Sequence, residues 1–198
     1  MPSETSLTVL LAHPDEATRK TIRNGLDDSQ YTVLEGCTTA GSLVRRALEE
    51  RPGLIITGID FPDADGISAL IEISQSEVVP AIVVTSRRSA EMVERALKDH
   101  VMAYLMEPVR AEEVRPAVLL VQKRFEQFKE MRQEVLDLRQ ALSDRKIIER
   151  VKGILMEKHD LTEDEAYKRL RRMATDRRIK LIEAARQLLD VETSSAGA

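Results

Sequence analysis

Short apolar runs alternate with amphipathic stretches through the first 110 residues, and that alternation most constrains the fold. The runs are 8–12 (TVLLA), 31–35 (YTVLE), 54–59 (LIITGI), 81–86 (AIVVTS) and 103–106 (AYLM). They are rich in β-branched residues, and three are nearly all apolar, as strands buried on both faces must be. Helical patterns fill the gaps, roughly over 16–26, 40–50, 66–75 and 89–98. Strand and helix in alternation predict right-handed βαβ units and a doubly wound parallel sheet. In such a sheet function collects at the C-terminal strand ends. Those ends are 13–15, 58–60, 85–86 and Glu107.

From Ala111 a helical pattern continues with no strong breaker until about His159. Phe128, Met131, Val135, Leu138 and Leu142 recur in steps of three and four among mostly charged neighbours. This is a coiled-coil seam, and an isolated helix would leave it wet. A homodimer is the expected solution; packing of the stripe back on the body is the alternative. Three short helices follow. The first continues the long helix through Lys158. The second opens at Thr162 with a capping box closed by Glu165 and runs to about Thr175. The third covers about 179–189. Apolar stripes predict a three-helix core from Ile147, Ile148, Val151, Ile154 and Leu155, then Tyr167, Leu170 and Ala174, then Ile182, Ala185 and Leu189. The expected domains are 1–122, a coiled-coil linker at 123–142, a helical module at 143–191 and a disordered tail at 192–198 (small and polar over ETSSAGA).

The net charge of −4 is unevenly spread. Residues 144–189 carry 13 Lys/Arg against 9 Asp/Glu, so they stand at +4 and the remainder at −8. A basic module on an acidic body fits an anionic partner, although a solvated helical surface reads the same way. No run is apolar enough to span a bilayer and the start lacks a signal-like leader, so a cytoplasmic protein without membrane attachment is expected. The single cysteine, Cys37, reads as a buried inert thiol. No nucleophile–base cluster, metal-ligand set or phosphate-cradling glycine loop appears, so neither an enzyme nor a cofactor is expected.

The flanking pattern PGLIITGIDFPDADGI, then PAIVVTS, then AYLMEP, makes residues 7–122 resemble the CheY-like receiver of response regulators. The resemblance implies an acidic pair after the first strand, a phospho-accepting aspartate after the third, Thr or Ser after the fourth and Lys-Pro after the fifth. Here the pair falls on His13 and Pro14, the acceptor on Gly58 and the lysine on Glu107; only Thr85 remains. Phosphoryl transfer to a carboxylate needs that carboxylate and a divalent cation, so no phosphorylation site is expected. Asp15, Asp60, Asp63 and Asp65 lie nearby, as cation ligands or as helix caps and loop polarity. Tyr104, at the switch aromatic's place, also fits an ordinary half-buried residue. Control is expected instead through a sensor or sequestering protein, or a small molecule, at the degenerate pocket.

The blocks RKIIERVKGILM and EAYKRLRRMA, with a basic turn before an apolar last helix, make residues 144–189 closely resemble the ANTAR domain of transcription antitermination regulators. The resemblance implies binding to RNA with paired stem-loops, each capped by a six-nucleotide loop, which favours an antiterminator in a leader transcript. The candidate RNA contacts are Arg145, Lys146, Arg150, Lys152 and Gly153, then Tyr167, Lys168, Arg171 and Arg172, then Arg177, Arg178 and Lys180. Cations of this kind neutralise phosphates, and guanidinium planes stack on unpaired bases. Gly153 inside a helix costs roughly 1 kcal/mol relative to alanine; either RNA approaching the face it shares with Lys146 and Arg150 or close helix packing would account for it. Tyr167 fits core packing as well as base stacking. The family's usual Ala-Lys-Gly is Val151-Lys152-Gly153 here. Two other readings remain open: a DNA-binding transcription factor, and an interaction module acting through its coiled coil.

Overall fold

The computed structural model describes residues 6–86 and 101–195, with side chains to residue 190. It divides into two compact units, Met1–Lys129 and Glu130–Ala198. The first holds five strands: β1 (Leu7–Ala12), β2 (Tyr31–Cys37), β3 (Leu54–Gly58), β4 (Ala81–Thr85) and β5 (Val101–Met106). They form one parallel sheet in the order β2-β1-β3-β4-β5. The helices described here are α1 (Glu16–Gly25), α2 (Ala40–Glu50) and α3 (Gly66–Ser74), and then α4 (Ala111–His159), which passes from one unit into the other. The helix expected at 89–98 lies outside the described residues.

Strand periodicity builds the two cores. Leu10, Ile55, Ala81 and Val83 point to one face of the sheet, where Leu43 of α2 and Leu70 of α3 cover them. Val9, Leu11, Leu54, Ile56, Ile82 and Val84 point to the other, against Ile22 of α1 and Val114, Val118 and Val121 of α4. Because both faces are covered, β3 and β4 are buried at every residue. Gly25 lets α1 meet α4: a Cβ there would fall 2.5 Å from the Ala111 carbonyl oxygen.

The second unit packs the end of α4 with α5 (Glu163–Arg177) and α6 (Leu181–Ser195). The capping box at Thr162 is present, with the Glu165 carboxylate accepting from the Thr162 N–H at 2.9 Å. Arg178 ends α5 in the left-handed region at φ 53°. The buried core is Val151 and Leu155, then Ala166, Leu170 and Ala174, then Ala184 and Ala185.

Three expectations need correction. Tyr167 is not in this core but 40% exposed. The stripe runs through Ala166, Leu170 and Ala174, and Tyr167 stands about 100° round the helix from Ala166. Ile154 and Ile182 are only partly buried and lie outside the core cluster, where Ala184 joins Ala185. The last helix continues to Ser195 instead of giving way to a disordered tail from residue 192. Among the described residues no helix is long and apolar enough to cross a membrane.

Candidate nucleic-acid interface

At the C-terminal edge of the sheet, the position of the phospho-acceptor is filled by a neighbouring side chain. His13 is 6% exposed, and a Cβ built on Gly58 would lie 2.6 Å from its ring carbon Cδ2. The imidazole thus occupies the space an acceptor side chain would need. Its Nδ1 accepts the Asp15 N–H at 3.1 Å, so a neutral ring carries its proton on Nε2. Nε2 faces Glu107 Oε1 at 3.3 Å, joining the ends of β1 and β5. Thr85 is buried beside this pair, and its carbonyl accepts the Glu107 N–H at 3.0 Å.

The nearby acids are engaged in capping. Asp15 accepts from Thr18 N at 2.7 Å and Thr18 Oγ1 at 2.8 Å, which holds its pKa below the usual carboxylate value. Asp63 accepts from Gly41 N at 2.9 Å and Ala40 N at 2.8 Å, with the same effect, and so ties the loop after β3 to the start of α2. Asp65 caps α3 through Ile67 N. The role of Asp63 was missed in sequence because its partners lie 22 and 23 positions away. No acid or histidine group able to hold a metal occurs among the described residues. Tyr104 packs partly buried against the sheet core, and that burial raises its pKa.

In the helical unit, the predicted cations divide into engaged and unengaged groups. Lys152 is only 7% exposed. Its Nζ reaches Glu163 at 2.7 Å and Glu149 at 3.0 and 3.1 Å. Hydrogen bonding to Glu163 and then Glu149 raises the pKa of Lys152, while Lys152 lowers that of Glu163. Lys152 therefore joins α4 to the first turn of α5, with its charge already met, which makes it a poor phosphate ligand in this fold. Glu149, one turn before it, and Glu163, in the capping segment, were the overlooked signals. Lys168 pairs with Asp164 at 2.6 Å, Arg172 stands 3.9 Å from Asp176, and Arg177 donates to Gln187 at 2.7 Å. These three remain on the surface. Arg145, Lys146, Arg150, Arg171, Arg178 and Lys180 are exposed and make no side-chain ion pair with the described residues.

Gly153 is exposed, and a Cβ there would meet no atom within 4 Å. Close packing against the described residues thus does not explain the glycine. Lys146, Arg150 and Gly153 follow at spacings of four and three along one helical face. That face points away from Val151 and Leu155. Tyr167 is displayed on α5, its ring available outside the core.

Comparison with known proteins gives a family match to each of two parts of the chain. Residues 9–119 match the response regulator receiver domain family, and residues 136–189 match the ANTAR domain family. The transcriptional regulatory protein PdtaR of Mycobacterium tuberculosis is 32% identical over 182 residues, covering 92% of this chain and 89% of its own length. The nitrate regulatory protein of Klebsiella oxytoca is 34% identical over 73 residues, 37% of this chain and 18% of that protein. In fold, the signal receiver domain of an HD domain-containing protein from Pseudomonas fluorescens Pf-5 superimposes with a TM-score of 0.56 at 19% identity, covering 63% of this chain and 93% of that one. A parallel five-stranded receiver sheet, followed by a long helix and an ANTAR helical core in one chain, places this protein among the ANTAR response regulators of transcription.

Proposed function

We propose that this protein is an RNA-binding transcription antiterminator that stabilises a paired stem-loop antiterminator in leader mRNA. One observation carries the reading: a glycine in mid-helix with empty space beside it, on the same face as two unengaged cations. A glycine that nothing among the described residues requires is suited to a ligand that approaches the backbone closely. Lys146 and Arg150 suit the phosphates of such a ligand, and the arginine plane can stack on an unpaired base. Arg145, Arg171, Arg178 and Lys180 extend the cationic surface, and Tyr167 offers a stacking ring. Lys168, Arg172 and Arg177 contribute where their weak surface pairs yield to phosphate. Lys152 acts by holding the helices.

The receiver-like domain, placed at about 1–122, is proposed to work without aspartyl phosphorylation. Supporting this, the acceptor is Gly58, His13 fills the space beside it, and Glu107 stands where a cation would be needed. Input then comes from a sensor or sequestering protein. The seam within 123–142 is proposed to hold a homodimer, supported by exposures of 60% at Met131, 46% at Val135, 62% at Leu138 and 58% at Leu142; Phe128 stacks on Phe125 at 6.2 Å at its start. Two linked RNA-binding modules at about 143–191 then engage two linked loops, and the second contact becomes intramolecular. The compartment proposed is the cytoplasm, where leader transcripts are made.

The test is a mobility shift with three ligands: a paired-hexaloop RNA, its scrambled-loop control and duplex DNA. Retention of the paired-hexaloop RNA at moderate salt, with a steep loss as salt rises, is expected. Preference for duplex DNA, or indifference to the loops, refutes the reading.

A further inference from the structure

The edge of the receiver sheet where the strands begin holds an open cavity of about 340 Å³. Every residue that lines it belongs to the first unit. It lies at the opposite end of the strands from Gly58, whose own neighbourhood is filled by His13. The volume is near the small end of the range for ligand pockets, enough for one or two rings. Leu7 at the start of β1, Pro52 before β3, Val79 and Pro80 before β4, and Phe125 of α4 form apolar walls. All but Leu7 are buried, and Leu7 is half-buried. Proline fixes φ, and the Pro80 carbonyl accepts the Ile55 N–H at 3.0 Å, so the walls are held in shape before any ligand arrives.

Two cations stand at the mouth. Gln122, Phe125, Glu126 and Lys129 share one face of α4, at spacings of three and four. Lys129 Nζ lies 4.5 Å from the centre of the Phe125 ring and makes no ion pair among the described residues. The ring's negative face holds the ammonium beside the apolar wall. Arg51 closes α2 in the left-handed region at φ 46°. Glycine fits such a cap best, because a Cβ there crowds the following carbonyl. An arginine at this place instead sets a guanidinium on the loop that borders the cavity. The acids nearby are engaged. Glu126 accepts from Lys123 Nζ at 2.8 Å, and Glu77 stands 3.9 Å from Arg51, an exposed pair and so a weak one. A ligand anion thus meets one unpaired and one loosely paired cation, whereas a ligand cation is repelled by both.

We infer that this cavity binds a small aromatic carboxylate, its ring against Val79, Pro80 and Phe125 and its carboxylate between Lys129 and Arg51. The flat faces of two prolines and a phenylalanine suit a planar ring, and a guanidinium fork suits a carboxylate. Bound there, the ligand joins the loops before β3 and β4 to the last turn of α4 within the receiver unit, since Lys129 is that unit's final residue. It is a chemical input that needs neither an acceptor aspartate nor phosphoryl transfer. The site stands apart from the antiterminator reading: either can fail while the other holds.

Titration of the full chain with 2-naphthoate, read by calorimetry and ligand-observed NMR, tests this. A dissociation constant of about 1 mM or tighter is expected for a ligand of this size. The alcohol 2-naphthalenemethanol should bind at least tenfold more weakly, and 2-(aminomethyl)naphthalene and acetate should not saturate. Lys129→Glu, at an exposed helical position, should weaken naphthoate at least tenfold. Arg51→Gly should weaken it at least threefold and melt no lower than wild type, because glycine suits the cap. Lys146→Ala, in the helical unit, should leave the affinity unchanged. No saturation by about 10 mM, or equal affinity for the acid and the alcohol, overturns the site. So does binding that survives both Lys129→Glu and Arg51→Gly, or that is lost in Lys146→Ala, since the anion is then held elsewhere.

Discussion

Gly153→Ala should make the helical unit more stable and the protein a poorer RNA binder. The substitution adds a methyl group where no atom lies within 4 Å, so no steric cost offsets the gain in helix propensity. That gain is about 0.8–1 kcal/mol in a helix interior. For a unit of this size, 1 kcal/mol raises the melting temperature by roughly 4–8 °C. Against RNA the same methyl stands where phosphate or ribose is proposed to approach. A tenfold loss of affinity corresponds to about 1.4 kcal/mol, and a loss of at least that size is expected for paired-hexaloop RNA. Circular dichroism melts at 222 nm and fluorescence anisotropy with labelled RNA measure the two effects on one preparation. Opposite signs are the signature, because a merely structural glycine lowers stability when replaced and an idle one leaves RNA binding alone. Higher stability with unchanged affinity would refute the RNA role of this face. Lower stability would refute the open environment.

Lys152→Met should lower the stability of the helical unit and weaken RNA binding only through that loss, as denaturant melts beside anisotropy would separate. The pH dependence follows from the Glu163 carboxyl, whose pKa is lowered by Lys152. Its contribution is complete above the unfolded carboxylate value and disappears as pH falls through the lowered folded one, so the wild-type protein should lose more stability on acidification than Lys152→Met. Gly58→Asp alone should leave the protein unresponsive to acetyl phosphate or beryllofluoride with Mg²⁺, as judged by mass and oligomeric state, and should destabilise the receiver domain, because its Cβ would sit 2.6 Å from His13. A phosphoryl adduct on that single variant would show that the imidazole does not block the site. Leu170→Ala, at a fully buried position, should cost about 2–5 kcal/mol in the bundle; a chemical denaturation midpoint unchanged from wild type would contradict the core described here.

Much of the architecture was legible in sequence because it is set by period. Runs such as LIITG and AIVVT can only be strands covered on both sides. The Thr162 capping box announces α5 through a local hydrogen-bond pattern within four residues. That position 58 carries no carboxylate was equally plain, since it is a glycine. Tyr167 was misassigned because a stripe of small residues, Ala166 and Ala174 about Leu170, carries little hydrophobic signal beside a tyrosine. Helix proximity makes alanines good core residues, and that proximity is a property of packing.

The chain's order of residues by itself determined a parallel α/β receiver sheet, one long helix and a basic helical module, because periodicity, capping and missing functional groups are local properties. Only the folded arrangement decided which cations are available. Lys152 and Lys146 look alike along the chain, yet one is closed between Glu149 and Glu163 and the other faces solvent. It likewise decided that His13 occupies the place left by Gly58, and that a Cβ at Gly153 meets nothing within 4 Å among the described residues. Charge pairing and empty volume depend on residues distant in sequence, so they exist only once the helices and strands have met.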